Sequence, residues 1–282
     1  MNNSIFIRFL KAAKKTIKFP LIVILAITKN ELHIISFYFH RHIIKLLGLY
    51  KFRNENVKNI ATKLDSIAIK SIGDDHDTYS GATAAEIASG FDYCVEILLK
   101  NKKHLSYLEI GSAKGKSMAL IGMLSQSYNA SFKGISIDPY FENAYNEGAD
   151  QPERFLLNTG VYSAPINSQS REQAFSLWEQ VNIEVDQIRQ TSSKGLNTLL
   201  NKNIKFDLVY IDGLHDGLTP VVDFVNVINL TNDGSIIILD DRHWTNVHHL
   251  RKICDNTIGL EKIFENWKIS AYQVKDHLKL VS

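Results

Sequence analysis

Cysteine, proline and long apolar runs are all scarce in this sequence. Its 282 residues include two cysteines, Cys94 and Cys254, and five prolines. Two cysteines so far apart provide neither a disulfide framework nor a zinc-binding cluster, so a reducing, intracellular setting is the default. The apolar run LIVILAI at residues 21–27 is too short to span a bilayer, and no small-residue cleavage site follows it. We therefore do not expect a cleaved signal peptide, and this run alone does not predict a membrane span.

Charge is distributed unevenly along the chain. Residues 1–54 contain ten Lys and Arg side chains and one acid, whereas the remaining residues contain 22 basic and 29 acidic side chains. Because the basic excess belongs to the N-terminal part alone, a nucleic-acid-binding surface on the main body is not expected. With 45% hydrophobic residues, the chain can bury a full core.

The N-terminal part has the pattern of a basic amphipathic helix followed by an apolar segment, within residues 5–28. Three interpretations remain open: helices packed on the body or on a second subunit of a homo-oligomer, a helix lying on an anionic membrane surface, and, least favoured, a membrane span. We divide the chain into a basic, apolar helical extension at 1–74 and a main domain at 75–282. We expect a cytoplasmic protein, with a peripheral contact at the inner face of a membrane left open.

From about residue 83, short apolar strands alternate with amphipathic helices. This alternation predicts an α/β fold, a doubly wound and mostly parallel seven-stranded sheet with helices on both faces. The predicted strands are 105–111, 132–140, 185–192, 206–213, 234–241 and an antiparallel pair within 260–281. In such sheets, ligands bind outside the carboxyl ends of the parallel strands, so the polar residues at those ends are the candidates for a site.

A glycine turn follows the first predicted strand, in the sequence EIGSAKGKS at 109–117. We expect Gly111 to allow a tight turn and Gly115 to let the backbone approach a ligand closely. The spacing is neither that of a dinucleotide-binding fingerprint nor that of a phosphate-binding loop. Asp138 ends the next strand, where a carboxylate is well placed to bind a ribose diol. A glycine turn alone is also common as plain structure, and the acid favours a nucleoside-containing cofactor.

The segments YLEIGSAKGKS, GISIDPY, FDLVYIDGLH and GSIIILDD resemble class I S-adenosylmethionine-dependent methyltransferases, over roughly residues 75–275. The resemblance implies the Rossmann-like methyltransferase fold and S-adenosylmethionine as cofactor. It also implies which residues would bind that cofactor. They are Glu109, Gly111, Ser112 and Gly115 around the methionine part, Asp138 at the ribose and Ser193 near the adenine.

Three carboxylates end two strands that we expect to be neighbours. Asp212 ends one, and Asp240 and Asp241 end the next. Crowded acids repel each other, and a divalent cation such as Mg²⁺ would relieve that repulsion with the oxygen ligands it prefers. The alternative is that one acid caps a helix and the others are solvated.

His215 lies three residues after Asp212, where a neutral imidazole could accept a proton from a substrate hydroxyl. A loop histidine bonded to the backbone is the alternative. The D-x-x-H sequence followed by a paired acid resembles the metal-dependent sugar O-methyltransferases of macrolide tailoring and the cephalosporin-hydroxylase-like proteins. That resemblance implies Mg²⁺ on Asp212, Asp240 and Asp241, with His215 as base. The Asp-Asp pair departs from the Glu-Asp and His-Asp pairs of some relatives.

The polar segment at roughly 141–170 contains Tyr145, Arg154 and Tyr162 and could be either a lid that recognises a sugar or a passive surface loop. The leading hypothesis is a Mg²⁺-assisted O-methyltransferase acting on a hydroxyl of a sugar, glycoside or related small molecule. The alternatives are a metal-independent O- or N-methyltransferase and a catalytically silent cofactor-binding scaffold.

Overall fold

The computed structural model describes residues 52–72, 82–140, 168–215 and 217–277. The helices are α1 (Glu55–Ile72), α2 (Ala82–Leu99), α3 (Lys116–Ser127), α4 (Ser168–Gln180), α5 (Ser192–Asn201), α6 (Thr219–Ile228) and α7 (Thr245–Asp255). The strands are β1 (His104–Ile110), β2 (Ser131–Ile137), β3 (Glu184–Ile188), β4 (Leu208–Ile211), β5 (Ile236–Leu239), β6 (Leu260–Glu265) and β7 (Ser270–Val274).

The seven strands form one sheet in the order β3-β2-β1-β4-β5-β7-β6. Strands β1 to β5 pair in parallel, whereas β7 is antiparallel to both of its neighbours. The chain reverses its direction of travel across the sheet between β1 and β4, which leaves a crevice at the carboxyl ends of these two strands. The seven-stranded, mostly parallel sheet and its antiparallel edge pair confirm the predicted fold.

Alternate residues of each central strand face opposite layers of helices. In β5, Ile236 and Ile238 pack into the core formed with α1 to α4, and Ile237 and Leu239 pack into the core formed with α5 to α7. A strand covered on both faces must be apolar at every position, which explains the uninterrupted apolar run of β5.

Helix α1 packs on α2, α3 and α4 rather than standing apart from the sheet. Its start is fixed by Asn54, whose side-chain oxygen accepts a hydrogen bond from the Val57 N–H at 2.9 Å. Four apolar residues on one face of the helix are buried: Val57, Ala61, Leu64 and Ala68. The last part of the predicted extension therefore contributes to the core, and the boundary at residue 74 stays a prediction.

Strand β3 is shorter than the sequence indicated. It ends at Ile188, where the Gln190 N–H bonds back to the Ile188 carbonyl at 2.9 Å, and α5 begins at Ser192. Ser193, expected at a strand end, therefore lies in the first turn of a helix.

Both cysteines are free thiols, one buried in each core. The N-terminal segment 5–28 and most of the 141–170 segment lie outside the described residues. Within the described ranges, no helix has the length and apolar character needed to cross a membrane.

Candidate active site

The carboxyl ends of β1, β2, β4 and β5 lie side by side and carry most of the polar residues that the sequence singled out. Parallel register aligns these ends, because Ile110 pairs with Ile137 on one side and with Ile211 on the other. Ile211 pairs in turn with Leu239. The glycine turn after β1 is therefore flanked by Asp138 and Asp212.

Position 111 requires a glycine for two reasons. Its φ of 86° lies in the left-handed region, as the predicted tight turn demands. A Cβ atom at this position would lie 2.1 Å from the carbonyl oxygen of Asp212, so the backbones of the β1 and β4 loops are in direct contact.

Gly115 is closely packed at the start of α3. It caps α3 with a φ of 76°, and a Cβ there would lie 2.5 Å from the indole Nε1 of Trp178 on α4. The same indole donates a hydrogen bond to the Gly115 carbonyl at 2.9 Å. The close approach at Gly115 is thus made by an aromatic side chain of the protein.

Glu109 is completely buried at the end of β1. Its carboxyl group accepts hydrogen bonds from the Tyr107 hydroxyl at 3.1 Å and from the Ser117 hydroxyl. Burial raises the pKa of Glu109 to about 8, against the opposing effect of these hydroxyl donors. The group is therefore poised to lose a proton when a cation approaches.

Asp138 holds the glycine turn in place. Its two carboxylate oxygens accept the backbone N–H groups of Ala113 and Tyr140, each at 2.9 Å. Burial raises the pKa of Asp138, and these two N–H donors oppose the rise. Ser112 is buried beside it and accepts a hydrogen bond from the Ser136 hydroxyl at 2.7 Å. Ser193 is exposed on α5, apart from this network.

A second cluster forms at the tips of β4 and β5. One ligand atom each from Asp212, His215 and Asp241 lies within 4.8 Å of the other two. Two carboxylates and an imidazole are a donor set suited to a divalent cation. Asp240 is also buried here, and its Oδ1 accepts no hydrogen bond from the described residues. The structure therefore brings all three predicted acids and the histidine together.

His215 is held in a nearly closed pocket. Its ring is stacked on Trp244 with centroids 5.4 Å apart, and its Nε2 lies 3.9 Å from Oδ1 of Asp212. Its carbonyl accepts a hydrogen bond from the Asn246 amide at 2.9 Å. Only 6% of the residue is exposed, so the orientation of the imidazole is fixed by packing.

Lys268 was missed by the sequence analysis and lies at the acid cluster. Its ammonium bonds to Oδ2 of Asp240 at 2.7 Å and also to Oδ1 of Asp241. It comes from the turn between β6 and β7, which is far from the acids in sequence. No local pattern marks it, because a single lysine in a polar turn is ordinary.

The cluster's electrostatics are dominated by crowding and by this ammonium. Burial and the charge of Asp240 raise the pKa of Asp212 well above its usual range. Burial alone would raise the pKa of Asp241, but the Lys268 ammonium together with His243 and His215 outweighs burial and holds that pKa below the usual range. The acidic pair raises the pKa of Lys268 well above its ordinary value, although burial opposes this. The lysine is thus charged at any physiological pH.

One further buried acid was not predicted. Asp223 on α6 lies beneath the 212–215 loop, and burial raises its pKa to about 6 against the Ser192 hydroxyl and the charge of His215. Its apolar neighbours in PVVDFVNV give a helical pattern that could have marked it as an acid on a buried face.

Comparison with known proteins agrees with this arrangement. Residues 108–242, just under half of the chain, match a family model described as a methyltransferase domain. No curated protein matches the sequence at a significant level.

Two solved structures share the fold over most of the chain. The O-methyltransferase NovP is 14% identical with a TM-score of 0.54, covering 77% of this chain and 100% of its own. The calicheamicin methyltransferase CalS11 is 12% identical with a TM-score of 0.51, covering 76% of this chain and 93% of its own. At these identities the likeness establishes the fold.

The matched segment begins within β1 and ends just after the acid pair, so it spans both clusters. The family match, the strand order and the glycine turn with its neighbouring acid agree with a methyltransferase domain over residues 108–242.

Proposed function

We propose that this protein is a divalent-metal-assisted O-methyltransferase that acts on a hydroxyl of a sugar, glycoside or related small molecule. The observation that carries the proposal is the cluster of Asp212, His215 and Asp241, with ligand atoms within 4.8 Å of one another. This cluster adjoins the glycine turn through the contact between Gly111 and the Asp212 carbonyl.

The β1 and β2 ends would hold the cofactor, which supplies a methyl group already activated on a sulfonium. Glu109 would face the positively charged methionine part, because a buried carboxyl with a raised pKa gains most from a nearby cation. Asp138 would accept the ribose hydroxyls through lone pairs not used by Ala113 and Tyr140. Gly111 and Ser112 would line the methionine part, Gly115 would support the turn, and Ser193 would lie towards the adenine.

The β4 and β5 tips would hold the acceptor hydroxyl. Asp212 and Asp241 provide the carboxylates for Mg²⁺, which when bound would lower the pKa of a hydroxyl and fix its position. Asp240 completes the predicted acidic set, although in the structure its Oδ2 bonds to Lys268.

His215 would accept the proton of the acceptor hydroxyl as the methyl group is transferred. The stacking on Trp244 holds the ring in one orientation, and the Asn246 amide holds the backbone that carries it, which favours a proton acceptor over a freely rotating side chain. Most of the remaining rate enhancement would come from aligning the acceptor oxygen with the methyl group, a contribution of about 7–11 kcal/mol in well-oriented systems.

The acceptor class rests on the resemblance and on the names of the two structural neighbours. NovP is an O-methyltransferase and CalS11 a calicheamicin methyltransferase, so both names are compatible with a small-molecule acceptor.

A metal-independent O- or N-methyltransferase is the second candidate, and Lys268 favours it. Its ammonium already neutralises part of the negative charge of Asp240 and Asp241, which reduces the electrostatic need for an ion.

The test is transfer of a labelled methyl group from S-adenosylmethionine to a panel of nucleotide sugars, glycosides and glycolipids. We expect transfer that EDTA abolishes, Mg²⁺ restores and Asp241→Ala removes. Asp186→Ala, which removes an exposed acid on β3, serves as the matched control. Transfer unaffected by both EDTA and Asp241→Ala would establish the second candidate. Absence of S-adenosylhomocysteine binding by calorimetry would refute both.

A further inference from the structure

The turn that connects β6 to β7 reaches the acid cluster because of the sheet's topology. Strand β7 is antiparallel to β5, so its first residue lies beside the last residue of β5, and Ser270 pairs with Leu239. The turn before β7 therefore lies at the same edge of the sheet as the carboxyl ends of the parallel strands. Lys268 is delivered to the site from this turn.

Hydrogen bonds fix the turn in place. The side-chain oxygen of Asn266 accepts the N–H groups of Lys268 and Ile269, each at 2.9 Å. The Lys268 carbonyl accepts the Arg242 N–H at 3.0 Å, and the Arg242 guanidinium bonds to the Asn266 carbonyl and to Glu265. The backbone beside the acid pair and the backbone of the turn are thus joined directly.

The ammonium bonds to both acids of the pair, and its side chain is only 17% exposed. Asp240 is almost completely buried and has one oxygen bonded to Lys268. Asp241 has a backbone φ of 46°, which is rare for a residue other than glycine. Lys268 therefore stabilises an acid pair that would otherwise be a crowded, buried anion in the metal-free protein.

We propose that Lys268 sets the affinity of the metal site, because its ammonium retains Asp240 outside the coordination sphere and competes with the ion for the charge of Asp241. The ion is then bound by the carboxylates of Asp212 and Asp241, with His215 beside it as the proton acceptor, and the ammonium weakens ion binding by charge repulsion. This inference rests on the proposed metal-assisted function and gives the site a weak, exchangeable ion rather than a permanent one.

The test is Mn²⁺ binding to the purified full chain saturated with S-adenosylhomocysteine, measured by electron paramagnetic resonance of free Mn²⁺. We expect Lys268→Met to bind Mn²⁺ at least tenfold more tightly than the parent protein, still with one ion per chain. Without metal the same variant should melt at a lower temperature than the parent, and saturating Mn²⁺ should raise its Tm by more than it raises the parent's. Lys268→Arg should restore the parent affinity, because it restores the charge.

Lys262→Met is the matched control, since Lys262 on β6 also bonds to two carboxylates, those of Asp255 and Glu265. It should leave the Mn²⁺ affinity unchanged. Lys268→Gln provides a second neutral variant if Lys268→Met does not fold, and it should also bind Mn²⁺ more tightly.

The outcomes separate the inference from the proposed function. If the parent protein binds no Mn²⁺, the metal part of the proposed function fails. If the parent binds Mn²⁺ and the neutral Lys268 variants bind it equally or more weakly, the proposed function stands. Lys268 would then be only an anchor of its turn.

Discussion

The buried carboxyl group of Glu109 should make the stability of the cofactor-free protein depend on pH. Folding raises the pKa of this group from 4.5 to about 8, mainly through burial. A raised pKa means that the folded state binds the proton more tightly than the unfolded chain does. The stabilisation that comes from this tighter proton binding is fully present below pH 4.5 and is lost as the pH rises towards 8.

The Glu109→Gln substitution isolates this effect. A glutamine amide resembles the protonated carboxyl, because it offers one acceptor and one donor to the hydroxyls of Tyr107 and Ser117. Through this group, the free energy of unfolding of the parent protein at pH 7 is lower by about 3 kcal/mol than it is below pH 4.5. Above pH 8 the loss approaches about 5 kcal/mol. Glu109→Gln should therefore be more stable than the parent by a similar order at pH 7.

Urea unfolding of cofactor-free protein between pH 4 and pH 9 measures this prediction. The difference between parent and Glu109→Gln should grow with pH from near zero at the acid end. Glu172→Gln, which neutralises an exposed glutamate on α4, serves as the control and should show no such growth. A stability difference that is constant across the range would refute the assignment of a raised pKa to Glu109.

Three further substitutions test other parts of the site. Gly111→Ala should lower the free energy of unfolding in urea by more than ~3 kcal/mol, because its methyl group meets the Asp212 carbonyl. The control Gly217→Ala has open space around its methyl group and should cost about 1 kcal/mol for its left-handed backbone. Equal losses would contradict the clash at Gly111. Asp138→Asn should weaken S-adenosylhomocysteine binding at least ~tenfold by calorimetry, because it removes the negative charge and replaces one of the two carboxylate acceptors with a donor, and an unchanged affinity would remove Asp138 from the cofactor site. Asp223→Asn should raise stability by about 3 kcal/mol at pH 8, since burial raises the Asp223 pKa from 3.8 to about 6, and this gain should vanish below pH 4. A Tm equal to that of the parent at pH 8 would argue against that shift.

The sequence was sufficient for the fold and for most of the polar residues at the strand ends. A strand covered on both faces is apolar throughout, so the first acid after it marks the strand's carboxyl end, as at Asp138, Asp212 and Asp240. Parallel strands then bring these ends to one edge without any further information.

Other features depended on contacts that have no local signal. The direction of β7 decides that Lys268 reaches the acids, and that direction follows from pairing between segments far apart in sequence. The partner of Gly115 is an indole on α4, which a glycine spacing cannot reveal. The end of β3 was misplaced because Arg189, Gln190 and Thr191 contain no glycine or proline that would mark the end of a strand.

The contact between Gly111 and the Asp212 carbonyl joins the two halves of the site without any side chain between them. Side chains can change rotamer to absorb a displacement, but two backbones in contact can only move together. A shift of the loop after β4 therefore changes the shape of the turn after β1. If a ligand bound at the β1 turn changes the affinity for a ligand at the β4 loop, the second ligand must change the affinity for the first by the same factor. The order in which the two ligands bind therefore does not alter the stability of the protein with both bound.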